Sequence, residues 1–124
     1  MAMIVQTVDG VVTNKFEIGQ SALKFGRSAD NQVQIDDLAV SGHHSRIICK
    51  TSDTGMTTYF LEDLGSTNGT YINDKKIEKK QLHHNDSLRI GWNFFTFIDE
   101  NETDFEKTTV IRKSWIPGIY FTRK

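Results

Sequence analysis

The chain has 124 residues and a formal net charge of -1, from 15 basic and 16 acidic side chains. This length predicts one domain with a sizeable core, and the balanced charge excludes a bulk field for nucleic acid or membranes, so any anion site must be local. A single cysteine (Cys49), an amino terminus unlike a signal peptide and the lack of an 18-residue apolar run together predict a soluble cytoplasmic protein.

Short strand-like segments separated by turns follow one another along the chain. Residues 3–8 and 11–18 flank Asp9-Gly10, a dipeptide typical of a two-residue β-hairpin turn. Turn residues recur about every 8–12 residues, which favours an all-β sandwich over alternating βαβ units. Further strands are predicted at residues 22–26, 32–35, 45–50, 57–64, 70–72, 87–90 and 94–98.

Residues 74–84 (DKKIEKKQLHH) have a helix-forming composition but no helical pattern. Ile77 and Leu82 are five residues apart, so they do not make an apolar stripe on one helix face. This segment is therefore predicted to be a polar hairpin and loop.

Three separated loops carry side chains suited to binding an anion. They contain Phe25-Gly26-Arg27-Ser28, Ser41-Gly42-His43-His44 and Gly65-Ser66-Thr67-Asn68-Gly69-Thr70. Loops of an antiparallel sandwich cluster at its two ends, so three loops at one end would bring Arg27, Ser41, Thr67 and Asn68 together. A guanidinium, hydroxyls and backbone N–H groups suit a phosphate, and glycines allow close backbone approach.

These residues resemble the forkhead-associated (FHA) domain family. The resemblance rests on three pieces in order: Gly26-Arg27, Ser41-x-x-His44, and the run from Asp63-Leu64 to Ser66-Thr67-Asn68-Gly69-Thr70. It covers roughly residues 3–99 and implies an eleven-strand, two-sheet antiparallel β-sandwich that binds phosphothreonine in partner proteins.

The resemblance also implies a role for each matching residue. Arg27 would bind the phosphate, with hydroxyl hydrogen bonds from Ser41 and Thr67, and Asn68 would hold the main chain of the bound peptide. The residues expected to shape the loops are Gly26, His44 and Gly69. The implied function is that of an adaptor in Ser/Thr kinase signalling, with no catalytic residues, cofactor or metal.

Two positions depart from residues that family members often carry. Gly42 stands where Arg, Lys or Asn can follow the serine, and Ala39 stands where some members have a basic residue. The resemblance links a basic residue at position 39 to a preference for an acidic side chain three residues after phosphothreonine. We therefore expect this chain to tolerate an apolar residue there at least as well as aspartate.

Three other functions are open to the same residues. The pairs His43-His44 and His83-His84 invite a metal site, but neighbouring strand residues face opposite ways and no zinc-ligand spacing is present. Ser41, His44 and an aspartate would suit a hydrolytic triad, although no nucleophile-elbow motif occurs. A structural, protein-binding or carbohydrate-binding sandwich that ignores phosphate is the third.

The predicted domain covers residues 1–100, and residues 101–124 form a C-terminal extension. Its run WIPGIYF, residues 115–121, is too apolar for a freely solvated tail and is expected to pack on the sandwich or on a partner. Thr108 and Thr109 are candidate regulatory phosphosites, because some small relatives carry a double-threonine segment that binds their own phosphate site. An ordinary strand or tail is the alternative.

Overall fold

The protein is described by a computed structural model covering residues 2–100, which form eleven β-strands. The predicted C-terminal extension, with Thr108 and Thr109, lies outside these residues. The strands are β1 Ala2–Val8, β2 Val11–Ile18, β3 Leu23–Gly26, β4 Val33–Gln34, β5 Ser45–Thr51, β6 Thr57–Asp63, β7 Thr70–Ile72, β8 Lys75–Ile77, β9 Lys79–Gln81, β10 Ser87–Ile90 and β11 Asn93–Asp99.

The strands form two sheets that pack face to face. One sheet has six strands in the order β2-β1-β11-β10-β7-β8, and the other has five in the order β4-β3-β5-β6-β9. All pairs are antiparallel except β3 with β4. The predicted all-β sandwich is confirmed. Within residues 2–100, no helix has the length and apolar character needed to cross a membrane.

The β1–β2 hairpin turns at the predicted dipeptide. Asp9 and Gly10 both have positive φ, 53° and 80°, as the two central residues of a type I′ turn require. Val8 pairs with Val11 on either side of this turn. The local sequence was sufficient here because the turn type is decided by two residues.

The core consists of apolar side chains from alternate positions of both sheets. Phe25 of the smaller sheet meets Phe95 of the larger one edge to face, with ring centroids 5.4 Å apart. Tyr59 and Phe97 make a second aromatic contact at 5.5 Å, and half-buried Cys49 packs against the same cluster. Such pairs stabilise a core beyond the area they bury.

The segment predicted as a polar hairpin instead divides between the two sheets. β8 pairs with β7 in the larger sheet, and β9 pairs with β6 in the smaller one, with only Glu78 between them. Ile77 packs against the core from β8, and Leu82 is buried just after β9. The five-residue spacing therefore marks a crossing from one sheet to the other.

The strand register brings three connections to one end of the smaller sheet. Phe25, Ser45 and Asp63 form a single row across β3, β5 and β6. The β3–β4 loop begins at Arg27, the β4–β5 loop ends at His44, and the β6–β7 loop begins at Leu64. Each is one or two residues beyond that row, so all three loops share an edge.

Candidate functional site

Arg27 lies on the exposed surface where the β3–β4 loop meets the β4–β5 loop. Its backbone N–H donates to the carbonyl of Ser41 at 2.9 Å, and its Nε–H donates to the carbonyl of Val40 at 3.1 Å. These bonds fix both the main chain and the base of the guanidinium group. No hydrogen bond to another described residue occupies its terminal N–H groups, which can therefore bind an anion in two-point fashion.

Gly26 is required where the two loops cross. A Cβ atom at Gly26 would lie 2.2 Å from the carbonyl oxygen of Gly42, a distance that no real contact allows. The obstacle is backbone, so a side chain at position 26 would push the β4–β5 loop away from Arg27. Glycine is needed at position 26 because of this close approach of two backbones, and not because of a positive φ.

Ser41 and Thr67 come together from different loops. The backbone N–H of Thr67 donates to Ser41 Oγ at 3.1 Å. Ser41 Oγ acts as the acceptor, so its own proton is left to donate elsewhere. Thr67 is exposed, and its hydroxyl makes no hydrogen bond to the described part of the chain. Two hydroxyl donors therefore lie in loops bonded, directly or through Ser41, to the main chain of Arg27.

Asn68 links the β6–β7 loop to the β4–β5 loop. Its Nδ2–H donates to the carbonyl of Ala39 at 2.8 Å. An asparagine side chain has two N–H groups and an oxygen with two lone pairs, so this bond leaves an amide N–H and Oδ1 for a ligand. Those are the groups needed to hold an extended peptide main chain.

His44 is the buried centre of the loop cluster, with no exposed surface. The backbone N–H of Ser41 donates to its Nδ1 at 3.1 Å, so the ring proton is on Nε2, which donates to the carbonyl of Gly69 at 2.9 Å. Its own N–H donates to the Phe25 carbonyl at 2.9 Å. Both ring nitrogens are occupied by backbone, so His44 cannot act as a base for the hydroxyl of Ser41.

Asp63 accepts the hydrogen bonds that hold the β6–β7 loop together. Its carboxylate accepts the hydroxyls of Ser66 at 2.5 Å and Thr70 at 2.7 Å, and the N–H groups of Gly65 and Ser66, both at 3.0 Å. Burial raises the pKa of Asp63, but these hydrogen bonds outweigh it and hold the pKa below its ordinary value. Gly69 completes the loop with φ +86°, a value that favours glycine.

Asn31 belongs to this site, although the sequence patterns did not reveal it. Its buried Nδ2 donates to the carbonyls of Ser28 and Gly42, both at 2.8 Å. Asn31 therefore fastens the β3–β4 loop to the β4–β5 loop beside Gly26. The polar run Ser28-Ala29-Asp30-Asn31 was a local signal of a turn, but the contact with Gly42 depends on the tertiary fold.

Asp37 links the site to the other sheet, and the sequence patterns did not reveal this role either. Its carboxylate accepts the N–H of Ala39 at 2.9 Å and that of Trp92 at 3.2 Å, and Asn93 Nδ2 at 3.0 Å. Hydrogen bonds from Ala39 and then Trp92 lower the pKa of Asp37. Through Asp37 the β10–β11 turn adjoins the loop that carries Ser41.

The histidine pairs do not form a metal centre in residues 2–100, where no cluster of metal-ligating side chains occurs. His43 Nε2 instead contacts the Asp30 carboxylate at 3.0 Å on the exposed surface, and this hydrogen bond lowers the pKa of Asp30. His84 Nδ1 accepts the N–H of Asp99 at 3.1 Å. The two pairs lie on different elements and have separate partners.

Comparison with known proteins identifies similar chains and structures. The model of the FHA domain matches residues 23–91. The transcriptional regulatory protein EmbR of Mycobacterium tuberculosis is 35% identical over 83 residues, which are 66% of this chain and 20% of EmbR. The glycogen accumulation regulator GarA of the same organism is 28% identical over 78 residues, 63% of this chain and 45% of GarA. The chain thus spans less than half the length of these curated relatives.

A solved structure shows the same likeness in three dimensions. It is that of Mycobacterium tuberculosis EmbR in complex with a low-affinity phosphopeptide. Its TM-score with this chain is 0.67 at 32% identity, covering 78% of this chain and 24% of EmbR. The likeness therefore extends from the loop residues to the whole sandwich.

Proposed function

Because this chain belongs to the forkhead-associated (FHA) domain family, we propose that it is a phosphothreonine-dependent peptide-binding adaptor of the cytoplasm. An FHA domain is a binding module. In this chain the partner would be a phosphothreonine-bearing protein, and a Ser/Thr kinase must act upstream because only phosphorylation creates that ligand. The phosphopeptide complex of EmbR supports this assignment from a relative.

One observation supports the proposal most strongly. The loop cluster is held in place by groups other than the hydrogen-bond donors that would best bind a phosphate. The main chain and Nε of Arg27 are bonded to the β4–β5 loop, while its terminal N–H groups have no bonded partner among the described residues. Ser41 Oγ is positioned by the N–H of Thr67 and retains its own proton. Arg27, Ser41 and Thr67 would then bind the phosphate oxygens without first breaking a hydrogen bond.

Asn68 would hold the peptide beside the phosphate. Its bond to the Ala39 carbonyl orients the amide, and the remaining N–H and Oδ1 can pair with a C=O and an N–H of an extended ligand. Gly26, His44 and Gly69 would act through the loops, by close approach, by the buried hydrogen bonds and by the left-handed turn.

Binding rather than catalysis fits the chemistry of these residues. A hydrolytic triad needs a base in hydrogen-bond contact with the nucleophile. The ring nitrogens of His44 are bonded to the N–H of Ser41 and the carbonyl of Gly69, and Ser41 Oγ receives the N–H of Thr67. We therefore propose no enzymatic role for Ser41 or His44.

The chain's own C-terminal extension is a second candidate source of the ligand. Thr108 and Thr109 lie in EKTTVIR, with Ile111 three residues after Thr108, which suits the apolar preference expected from Ala39. Phosphorylated there, the segment would compete with outside partners at the Arg27 site. Phosphopeptide affinity measured before and after stoichiometric phosphorylation of Thr108 and Thr109 tests this, and an unchanged affinity would contradict it.

The adaptor function is tested by calorimetry with matched peptides. A degenerate peptide library fixed at phosphothreonine first selects a ligand, which is then titrated in phosphorylated and unmodified forms. Charge-assisted hydrogen bonds contribute about 1.5–3 kcal/mol each, so losing two should weaken binding by ~100-fold or more. Equal affinities for the two forms would instead indicate a sandwich that binds protein without reading phosphate.

A further inference from the structure

A patch of exposed apolar side chains lies at one end of the six-stranded sheet, beside the loop cluster. Of eight large apolar side chains exposed within residues 2–100, five lie at the β1–β2 hairpin tip, in the β10–β11 turn or at the start of β11. We call these five the apolar patch: Val8, Val11, Val12, Trp92 and Phe94. Contiguous exposed apolar surface of this kind is typical of a binding site.

The strand register places part of the apolar patch on the outer face of the sheet. Thr7 pairs with Val12 on one side and with Phe94 on the other, while Val8 pairs with Val11. Residues paired directly across strands project from the same face, so Val12 and Phe94 flank Thr7 on the outer side of the sheet. Val8 and Val11 are the next pair toward the turn and project toward the opposite face of the hairpin, and Val8 meets Thr7, Trp92 and Phe94 at the lining of a cavity.

A cavity of about 220 Å³ opens in this surface, lined in part by Thr7, Val8, Trp92 and Phe94. Trp92 is 74% exposed and Phe94 is 43% exposed. The Arg89 guanidinium lies 5.5 Å from the Trp92 ring and 4.1 Å from the ring of Tyr71. These cation–π contacts favour one placement of the indole, so one wall of the cavity is formed before a ligand arrives.

The chain itself supplies a segment of matching chemistry. Residues 115–121, WIPGIYF, hold five large apolar or aromatic side chains, and basic residues flank them at Arg112, Lys113, Arg123 and Lys124. Asp9 lies on the rim of the cavity and is exposed. An apolar segment with a basic border thus meets an apolar surface that has the carboxylate of Asp9 on its rim and the guanidinium of Arg89 against the Trp92 ring.

The linking chain is long enough to bring the two together. The described chain leaves the sheet after β11, and the first residues of that same strand, Asn93 and Phe94, line the cavity. Returning along this strand covers only about 20 Å, at ~3.4 Å per residue. The chain between Glu100 and Trp115 can extend to about 50 Å, at ~3.3 Å per residue, which also allows a path around the sheet edge.

We propose that residues 115–121 of this chain dock on the apolar patch, with an aromatic side chain in the cavity beside Trp92. A tether of this kind raises the local concentration of the segment to the order of mM. Even weak apolar contacts then keep the segment on the patch of its own molecule. The proposal does not depend on phosphate binding, since neither partner includes Arg27, Ser41 or Thr67.

Fluorescence of Trp92 in the full chain tests the docking. Trp92 and Trp115 are the chain's 2 tryptophans, so Trp115→Phe leaves Trp92 as the sole emitter and keeps an aromatic ring in the segment. In that background, Ile119→Asp should shift Trp92 emission to longer wavelength and raise its quenching by acrylamide. Adding a synthetic peptide of residues 113–124 that carries the same Trp115→Phe change, at mM concentration, should reverse both changes.

Matched substitutions identify the surface. Phe94→Asp and Val12→Asp should each expose Trp92 as Ile119→Asp does, and combining Phe94→Asp with Ile119→Asp should add little, because both remove one interaction. Met56→Asp, at a side chain 67% exposed in the β5–β6 turn, should leave Trp92 protected. Trp92 equally quenched before and after Ile119→Asp would overturn the proposal. So would protection that depends on protein concentration, which would indicate a second copy as the occupant.

Discussion

Two turns of this molecule have similar compositions and different surroundings. The β5–β6 turn with Thr51 of β5 before it, residues 51–56, reads TSDTGM, and the β6–β7 loop with one flanking residue at each end, residues 63–70, reads DLGSTNGT. In the first, Ser52 Oγ pairs with Thr54 Oγ1 at 2.8 Å, and the N–H of Met56 donates to Ser52 Oγ at 3.2 Å. The N–H of Gly55 donates to the Ser52 carbonyl at 2.9 Å. These bonds all join residues within the turn.

The β6–β7 loop has local bonds of the same kind and long-range bonds as well. The N–H of Thr67 reaches Ser41, the amide of Asn68 reaches Ala39, and His44 reaches Gly69, each across at least 25 residues of sequence. Local bonds make a turn in both places. The long-range bonds also fix the β6–β7 loop relative to the β4–β5 loop. Of these two turns, only the β6–β7 loop therefore presents donors at defined positions to a ligand.

Removing the guanidinium should have the largest effect. Arg27→Ala should weaken phosphopeptide binding by ~100-fold or more, because two charge-assisted hydrogen bonds of about 1.5–3 kcal/mol each are lost. Its Tm should change by only a few degrees, since an exposed side chain contributes little to stability. Calorimetry measures the affinity. Thr54→Ala in the β5–β6 turn is the matched control and should bind normally, whereas normal binding by Arg27→Ala would show that the phosphate lies elsewhere.

Removing the buried imidazole of His44 should lower the stability of the fold, and any loss of binding should follow from that. His44→Ala leaves the N–H of Ser41 and the carbonyl of Gly69 without their bonds, at about 1–3 kcal/mol for each buried group. Thermal unfolding should show a Tm lower by ~8 °C or more, since 1 kcal/mol corresponds to about 4–8 °C in a domain of this size. His43→Ala, on the exposed surface, should unfold like the parent. A stable His44→Ala variant would contradict the role of His44 as the centre of the loops.

The two serines offer a direct matched pair. Ser41→Ala should cost about 1–3 kcal/mol of phosphopeptide affinity, because it removes one donor and also the acceptor that positions Thr67. Ser52→Ala removes a similar set of turn bonds and should leave affinity unchanged. Thr67→Ala should resemble Ser41→Ala. Equal losses from Ser41→Ala and Ser52→Ala would mean that turn rigidity, not direct binding, controls affinity.

The acid sensitivity of the β6–β7 loop should depend on Asp63. Its pKa is lowered in the folded state, so its contribution to stability is present above the unfolded value of about 3.9 and is lost as pH falls through the lower folded value. Asp63→Asn should therefore unfold more readily at neutral pH and lose less stability between pH 5 and low pH. Denaturant unfolding across that range measures both effects. Parallel stability curves for the two proteins would contradict this sign.

A substitution at Ala39 should have the smallest effect, on selectivity for the residue three positions after phosphothreonine. With Ala39 in the β4–β5 loop, a peptide with isoleucine three residues after phosphothreonine should bind at least as well as one with aspartate. Ala39→Lys should move the preference toward aspartate by up to about 1 kcal/mol, the strength of an exposed ion pair. Peptide arrays varied at that position give the comparison. Strong enrichment of aspartate by the parent chain would show that another loop supplies the charge.

Local sequence signals predicted most of the fold. Asp9-Gly10 was sufficient for the first hairpin, and alternating apolar residues were sufficient for most strands, because both depend on neighbours in the chain. The segment around Ile77 was assigned wrongly as a hairpin, since nothing local shows that β8 and β9 join different sheets. The sheet that each strand joins depends on the pairing of β8 with β7 and of β9 with β6, which is decided by the tertiary fold.

The loop cluster, too, could be predicted from the sequence only in part. Arg27, Ser41, Thr67 and Asn68 could be proposed from the sequence, and the fold brings their loops to one end. Two tertiary connections could not be found that way. Asn31 bonds to Gly42, and Asp37 bonds to Trp92, so their partners are backbone groups with no sequence signature.

Amide chemical-shift mapping tests the contrast between the two turns most directly. The full chain labelled with ¹⁵N is titrated with the phosphothreonine peptide selected from the library, and in parallel with its unmodified form. We expect the largest shifts at Arg27, Ser41, Thr67 and Asn68, none at residues 51–56, and no comparable change with the unmodified peptide. Shifts concentrated away from Arg27 and Thr67, or equal responses to the two peptides, would contradict the account.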